Sequence, residues 1–310
     1  MSDRKPSLFL IGAMKSGTTY LCRLLEAHPA IFMCDPEEPS YFVDPAELRA
    51  IWPEMWERGF WRSEQNYLDL FRLAGDATIL GEASTNYTKH PLVTGVPERI
   101  QAFNPAARFM YVLRDPVERT LSHYWHRVRY HAEARPVLEA IRRDPRYLAV
   151  SDYAMQIMPF IERFGADRVA IRTHESLVQN PAQVMQGLYD WLGVGAASPD
   201  PSVLAQPVHV TPDTVVASRW GGLPRRLRQS PPLRGLLRRV PQPIETALRR
   251  LTSHEVVRRS VDMSDAVAFL RPIQRRQTEA LSRLLGRDFP EWTTLNGVCR
   301  NPAAASQRQV

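Results

Sequence analysis

The stretch from Leu8 to Leu25 constrains the fold more than any other part of the chain. It begins with an apolar run over residues 8–11 that is typical of a buried parallel strand. A turn of Gly, Lys, Ser and Thr follows, and the leucines after it lie on one helical face. A strand, a tight turn and a helix in this order predict an anion site, because the N–H groups at the helix start are unpaired and the helix dipole adds partial positive charge.

The residues of this turn supply phosphate-binding groups. Gly17 lets the backbone approach a phosphate, and Lys15 adds a full positive charge. Thr18 and Thr19 add hydroxyl donors, and Ser16 lies among the backbone amides that hold the phosphate. A Walker A loop ends in Gly-Lys-Ser/Thr, whereas here Lys15 precedes Gly17, which excludes that motif. By itself the turn also fits an ordinary phosphate-binding turn of another nucleotide enzyme.

The composition fits an α/β protein with an anionic ligand. The 310 residues are 44% hydrophobic, which is ample for one domain with a sizeable core. The net charge of +7 suits an anionic ligand or surface. Arginine carries almost all of the positive charge, since lysine occurs only at positions 5, 15 and 89. No helix-turn-helix, zinc or RNP pattern supports nucleic-acid binding.

The sequence carries no targeting or metal-binding pattern. No stretch approaches the roughly 20 apolar residues of a membrane span, and the first residues lack the apolar segment and cleavage site of a signal peptide. We therefore expect a cytoplasmic protein. The three cysteines have neither disulfide nor zinc spacing, and we expect Cys22 to be a small core residue.

Apolar runs and helical patterns alternate along the chain. Strands are predicted at residues 8–11, 30–34, 77–87, 108–116 and 168–172, and helices at 20–25, 97–103, 117–130, 151–164, 182–192 and 264–285. This alternation predicts an α/β fold, a P-loop-like three-layer sandwich whose central parallel sheet has helices on both faces. Ligands of such sheets bind beyond the carboxyl ends of the strands.

Four charged residues follow the carboxyl ends of different predicted strands and should therefore lie at one edge of the sheet. They are Lys15, Glu38, Glu82 and Arg114. Glu38 precedes aromatic residues, and a carboxylate in a partly apolar pocket is a better base; a solvated acidic loop is the alternative. Glu82 is a second acid–base candidate, and its alternative is an ion pair that holds neighbouring loops together.

Arg114 and Ser122 form a second candidate phosphate site. Arg114 ends the clearest predicted strand, and Ser122 lies one to two turns into the helix that follows. A guanidinium and a hydroxyl in these positions can hold a phosphate, with two parallel bonds from the arginine. The alternative is that Arg114 and Asp115 only pair with each other.

Two motifs together resemble those of the sulfotransferases that use 3′-phosphoadenosine 5′-phosphosulfate (PAPS). Residues 15–21, Lys-Ser-Gly-Thr-Thr-Tyr-Leu, resemble the 5′-phosphosulfate loop. Residues 113–122, Leu-Arg-Asp-Pro-Val-Glu-Arg-Thr-Leu-Ser, resemble the 3′-phosphate motif. Residues 284–292 resemble the closing segment of the branch that includes heparan sulfate sulfotransferases. The resemblance covers about residues 7–193 and 264–293.

The resemblance implies sulfuryl transfer from PAPS, without a metal, to a hydroxyl or amine of a saccharide or glycolipid. It makes Glu38, in a Glu-x-x-aromatic-Phe segment, the first choice of catalytic base, with Lys15 and Glu82 as further catalytic candidates. The residues that it assigns to PAPS binding are Lys15, Ser16, Gly17, Thr18 and Thr19 for the 5′ end and Arg114 and Ser122 for the 3′-phosphate.

The chain departs from that branch in three places. The relatives' lysine- and glycine-containing cofactor loop near the C-terminus has no clear counterpart here, and an arginine from residues 219–239 is the candidate substitute. Many relatives carry lysine directly before the catalytic glutamate, whereas this chain has Glu37. Heparan sulfate relatives carry Glu-Lys-Ser/Thr-Pro in the third-strand motif, whereas Ala83 follows Glu82 here. Two alternatives to a sulfotransferase remain open. One is a P-loop phosphotransferase, which needs the Gly-Lys-Ser/Thr order, and the other is a non-catalytic glycan- or membrane-binding protein on the same fold.

We predict one sulfotransferase domain over residues 1–310. Its parts are a cofactor-binding core (7–193), an Arg-rich linker or lid (195–262), closing helices (264–293) and a disordered tail (301–310). The Arg-rich stretch 219–259 fits a basic lid over an anionic ligand, a peripheral contact with acidic lipid at the inner membrane face, or a solvated helical surface. The aromatic-rich segment 44–75 fits either an acceptor cleft or helices packed on the sheet.

Overall fold

The computed structural model describes residues 4–197, 212–218 and 253–297. Their main element is a five-stranded sheet in the order β2-β3-β1-β4-β5, in which every pairing is parallel. The strands are β1 (Leu8–Gly12), β2 (Ile31–Met33), β3 (Ile79–Ala83), β4 (Arg108–Leu113) and β5 (Val169–Thr173). Most of the predicted linker or lid and the predicted tail lie outside the described residues.

Helices connect the strands and follow the last one. They are α1 (Thr18–Glu26), α2 (Pro45–Ile51), α3 (Pro53–Arg58), α4 (Glu64–Leu68), α5 (Val96–Phe103), α6 (Pro116–His131), α7 (Val137–Arg143), α8 (Arg146–Ala149), α9 (Tyr153–Phe164), α10 (His174–Gln179), α11 (Pro181–Leu192), α12 (Ser264–Leu285) and α13 (Thr293–Asn296). In the part of the chain that the structure describes, no helix combines the length and the apolarity that crossing a membrane requires.

The two faces of the sheet are buried by different helices, because successive strand residues point to opposite sides. Leu8 and Leu10 of β1 belong to one apolar cluster with the leucines of α1 and α11. Phe9 points to the other face and stacks on Phe109 of β4 with ring centroids 5.7 Å apart. Phe109 in turn contacts Phe160 of α9 at 5.1 Å. The predicted P-loop-like α/β fold, with helices around a central parallel sheet, is therefore confirmed, and Cys22 is a buried core residue as expected.

The described residues fall into two compact units. The first lies within residues 1–119, 149–209 and 274–310 and contains the whole parallel sheet. The second lies within residues 120–148 and 210–273. It contains an antiparallel pair of strands, β6 (Thr214–Ser218) and β7 (Ser253–Val257). Inside this second unit the Asp144 carboxylate pairs with Arg146 at 2.5 Å and with Arg127 of α6 at 3.6 Å.

We expect Gly81→Ala to lower the free energy of unfolding by about 1–3 kcal/mol, the usual cost of overpacking. Gly81 lies in β3, and a Cβ there would lie 2.5 Å from Sδ of Met33 and 3.3 Å from Cβ of Leu8. Gly195→Ala is the matched control, since nothing lies within 4 Å of its added carbon. Urea denaturation of both variants measures the difference. Equal midpoints would contradict the close packing of β3 between β1 and β2.

Candidate active site

The loop that joins β1 to α1, residues 13–17, is the first element of the site and is called the anion loop below. It is enclosed on two sides, because a Cβ on Gly12 would lie 2.5 Å from Oγ1 of Thr88 and one on Gly17 would lie 2.8 Å from Nδ1 of His174. Gly17 has a φ of 93°, a left-handed conformation that glycine adopts without strain, and it begins α1 without a side-chain cap. The predicted residues Ser16 and Thr18 are both buried here. The first turn of α1 therefore has no side-chain cap, and the predicted binding of a phosphate by its amides stays a prediction.

Arg114 reaches this loop from the end of β4. Its Nη1 donates to the carbonyl oxygen of Lys15 at 3.2 Å, and its Nη2 pairs with Oε2 of Glu118 at 3.3 Å. Asp115 has other partners: Oδ1 accepts from the first amides of α6, and Oδ2 accepts from the amide of Leu295 at 2.9 Å. The alternative in which Arg114 and Asp115 only pair with each other is therefore wrong, because Asp115 caps a helix.

Ser122 stands eight positions further along, on α6 and within the second compact unit. It is partly buried there. Its predicted contact with a 3′-phosphate stays a prediction.

Glu38 lies in the loop that follows β2, with its backbone held in a left-handed conformation at a φ of 60°. Its amide donates to the carbonyl of Ala83 at 2.8 Å, and Oε1 accepts from Oγ1 of Thr85 at 2.7 Å. Oε2 is buried and has no hydrogen-bond partner among the described residues. Burial raises the pKa of Glu38, which makes its ionised form a stronger base.

Glu37 links the Glu38 loop to the anion loop. Its Oε2 accepts from Oγ1 of Thr19 at 3.0 Å, so one of the hydroxyls predicted to bind a phosphate faces a carboxylate. The carbonyl of Glu37 also accepts from Nη1 of Arg58 at 2.8 Å. An anion that binds the Thr19 hydroxyl has to replace its hydrogen bond to Glu37. In the sequence, Glu37 stood out only as a departure from the family pattern.

Glu82 is fully buried in β3, and its described partners are hydroxyls rather than a cation. Oε1 accepts from Tyr67 and from Tyr87, each at 2.8 Å, and Oε2 accepts from Ser84 at 2.9 Å. Burial raises the pKa of Glu82 to about 7, against the three hydroxyls that lower it. The sequence suggested an acid–base role for Glu82. Both of its carboxylate oxygens, however, already accept hydrogen bonds from hydroxyl groups.

The partners of Glu82 extend to the backbone of the loop that carries Glu38. Oγ of Ser84 accepts from the amide of Ser40 at 3.1 Å. The hydroxyl of Tyr87 accepts from the amide of Phe42 at 3.4 Å. Through these two relays the buried carboxylate fixes the loop immediately after Glu38.

The aromatic residues of segment 44–75 divide into two groups. Tyr67 is buried and stacks on Tyr41 with ring centroids 4.2 Å apart, so it packs as part of the core. Trp56 and Trp61 are half-buried and stack on each other at 5.3 Å. Packing on the core therefore holds for Tyr67, whereas Trp52, Trp56, Phe60 and Trp61 leave ring surface partly open. The acceptor cleft stays a prediction.

Sequence reasoning missed Lys89 and His174. Lys89 is 4% exposed, and its Nζ has no hydrogen-bond partner among the described residues. His174 opens α10 directly after β5 and packs against Gly17. Both residues follow strands of the sheet. The rule that ligands bind beyond the carboxyl ends of parallel strands therefore applies to them as well. Lys89 is also one of only three lysines in the chain.

These contacts bring three of the predicted site features together. An anion loop, a guanidinium against that loop and a partly buried carboxylate all lie at the carboxyl edge of one parallel sheet. Within the described ranges, no group of three or more His, Cys, Asp or Glu side chains is arranged to hold a metal ion. The expectation that no metal takes part stays a prediction.

Comparison with known proteins places the chain in a family. A model described as the sulfotransferase family matches residues 6–198, more than half of the chain. The chain therefore belongs to the sulfotransferase family. It is 25% identical to a solved sulfotransferase from Alicyclobacillus acidocaldarius, with a TM-score of 0.64 over 93% of this chain and 99% of that one.

The chain is also similar to curated proteins whose names refer to heparan sulfate. The chain is 29% identical over 210 residues to the mouse bifunctional heparan sulfate N-deacetylase/N-sulfotransferase 3, a match to 62% of this chain and 23% of that protein. It is 24% identical over 204 residues to the mouse heparan sulfate glucosamine 3-O-sulfotransferase 3B1, covering 62% and 47% of the two chains. The chain thus spans less than half the length of these relatives.

We expect Glu82→Gln to change how stability depends on pH. The pKa of Glu82 is raised from 4.5 to about 7 on folding, so the folded protein binds a proton that the unfolded chain has already released. The stability from this group is fully present at low pH and is lost as the pH rises through 7. The loss is on the order of 3 kcal/mol, and the glutamine variant lacks it.

Urea denaturation between about pH 5 and about pH 8 measures this difference. Glu54→Gln is the control, because Glu54 is exposed on α3 and should keep the wild-type dependence. Parallel curves for the wild type and Glu82→Gln would show that the buried carboxylate does not take up a proton in this range.

Proposed function

We propose that this chain transfers a sulfuryl group from PAPS to a hydroxyl or amine of a carbohydrate acceptor. The contact between Nη1 of Arg114 and the carbonyl of Lys15, at 3.2 Å, carries the proposal. It joins the two motifs that resemble the phosphosulfate loop and the 3′-phosphate site. A guanidinium fixed against the anion loop suits a nucleotide with a second phosphate, which ADP and ATP lack at the 3′ position. Membership of the sulfotransferase family supports the same reaction class.

The residues around the loop fit PAPS. Gly17 has no Cβ, which would lie 2.8 Å from Nδ1 of His174, and no side chain caps the first turn of α1. PAPS supplies an activated sulfuryl group attached to a phosphate leaving group. Lys15 would offset the negative charge that grows on the bridging oxygen, and the amides from Ser16 to Thr19 would hold the phosphate and sulfonate oxygens. Arg114 would hold the 3′-phosphate.

Glu38 acts as the general base in this proposal. Its buried Oε2, which has no hydrogen-bond partner among the described residues, takes the proton from the acceptor hydroxyl or amine as that atom forms its bond to sulfur. The electron pair of the breaking sulfur–oxygen bond stays on the phosphate. Glu82 then acts as a positioning residue, because its hydroxyl partners hold the amides of Ser40 and Phe42 in the same loop.

A carbohydrate acceptor is supported by the tryptophan pair and by the relatives. Trp56 and Trp61 leave partly open ring surface next to Arg58, whose guanidinium donates to the carbonyls of Glu37 and Glu38. Aromatic rings with a few polar groups are the usual lining of a small-molecule site. The names of the curated relatives refer to heparan sulfate, a polysaccharide.

We expect tight binding of the product nucleotide, 3′,5′-diphosphoadenosine (PAP), and weak binding of ADP without magnesium. Arg114→Ala should weaken PAP binding by about 10–100-fold, the effect of one charge-assisted hydrogen-bonding group. Arg143→Ala is the matched control, because it removes another arginine of an i,i+4 pair, with Glu139 at 3.1 Å. Calorimetric titration measures all affinities. Equal or preferred binding of ADP would refute the proposed donor.

We expect Glu38→Gln to lower turnover by about 10²–10⁴-fold while PAP binding stays unchanged, because the amide cannot accept the acceptor proton. The assay uses radiolabelled PAPS with desulfated heparan sulfate oligosaccharides. The control is Glu54→Gln, an exposed residue on α3. Full activity in Glu38→Gln would remove Glu38 from the role of base.

A further inference from the structure

Lys89 is a buried cation that the proposed mechanism does not use. Its side chain is 4% exposed, and Nζ has no hydrogen-bond partner among the described residues. Its carbonyl accepts from the amides of Leu92 at 2.8 Å and Val93 at 3.2 Å, which fixes the backbone. A buried ammonium group without a partner is costly, so such groups in proteins are paired with an anion or lose their charge.

The segment that carries Lys89 connects the two halves of the site. Oγ1 of Thr88 donates to the carbonyl of Ile11, at the end of β1, at 2.6 Å. Oγ1 of Thr85 donates to Oε1 of Glu38 at 2.7 Å. Lys89 therefore follows residues that are anchored to the anion loop on one side and to the candidate base on the other.

Glu38 is the carboxylate that this segment holds, through the hydrogen bond from Thr85. Oε2 of Glu38 is buried and unpartnered among the described residues, as is Nζ of Lys89, and the two charges attract each other. Burial lowers the pKa of Lys89 to about 7, and Glu38 counteracts that shift. Burial raises the pKa of Glu38, and Lys89 counteracts it in the same way.

Other charged groups near this pair also shift pKa values. Glu37, on the same loop, raises the pKa of Glu38, and Glu38 raises that of Glu82 in β3. Arg119 of α6 lowers the pKa of Lys89. Among these groups Lys89 is the cation that stabilises the ionised form of Glu38, since its neighbouring carboxylates oppose that form.

We propose that Lys89 is a positioning residue of the transfer reaction, whose positive charge keeps Glu38 ionised and ready to accept the acceptor proton. The role in catalysis rests on the proposed function, but the charge coupling does not. Removing the charge should leave Glu38 among carboxylates in a buried place, so that its pKa rises. The acidic limb of the activity profile should then move to higher pH.

The test measures the titration of Glu38 directly, without substrate. The full chain is labelled with [5-¹³C]glutamate, and the Glu38 resonance is assigned by its loss in Glu38→Gln. Lys89→Met should raise the midpoint of Glu38 by about one pH unit or more, whereas Lys89→Arg should keep it near the wild-type value. Lys5→Met is the control, since Lys5 is a partly exposed lysine paired with Glu64 at 3.1 Å. An unchanged midpoint in Lys89→Met would overturn the proposal.

If the Lys89→Met variant does not fold, the coupling can be measured from the other side, by the titration of Lys89 itself. The chain has three lysines, at positions 5, 15 and 89, so lysine ¹³Cε spectra resolve Lys89 by its loss in Lys89→Arg. Glu38→Gln should lower the midpoint of Lys89 by about one unit or more, and Glu54→Gln should leave it unchanged. The same Lys89 midpoint in the wild type and Glu38→Gln would contradict the coupling.

Kinetics separate this proposal from the proposed function. With PAPS as donor, Lys89→Met should shift the acidic limb of kcat upward in pH, while the KM for PAPS changes by less than about twofold. A wild-type protein that turns over no PAPS would refute the proposed function, yet the titrations would still decide whether Lys89 sets the ionisation of Glu38. A normal kcat profile in Lys89→Met would remove Lys89 from the reaction.

Discussion

The peptide groups of the loop between β1 and α1 need hydrogen-bond partners from neighbouring segments. The rest of the site depends on which residues supply those hydrogen bonds. The amide of Ala13 donates to the carbonyl at the end of β4 at 2.9 Å. Thr88 supplies a hydroxyl to the carbonyl of Ile11, and Arg114 supplies a guanidinium to the carbonyl of Lys15. Buried peptide groups are costly when unpaired, so these bonds fix the ends of three strands relative to the anion loop.

Two buried carboxylates at this edge show how environment divides roles. Burial raises the pKa of both Glu38 and Glu82. Both oxygens of Glu82 are taken by hydroxyls, so its protonation affects stability and the position of the neighbouring loop. Glu38 has one oxygen held by Thr85, and the other oxygen has no hydrogen-bond partner among the described residues. The second arrangement leaves an atom that can accept a proton.

Local patterns in the sequence were sufficient for the sheet and for the sheet edge at which the candidate site residues lie. Apolar runs located all five parallel strands, and the order of strand, turn and helix placed Lys15 and Arg114 at the same edge. The partners of these residues could not be predicted. Asp115 next to Arg114 suggested a pair, but its carboxylate caps α6 and holds Leu295, which is 180 residues away. Such partners depend on packing between distant segments, which a local pattern does not encode.

The fold class and the sulfotransferase family could be read from the sequence, because each depends on short-range periodicity and on motifs of adjacent residues. The tertiary structure set the electrostatics of the site. It buried Glu82 under the hydroxyls of Tyr67 and Tyr87 and brought Lys89 into the field of Glu38. The physical reason is that the pKa of a group is set by burial and by charges close in space, and residues far apart in the chain provide both.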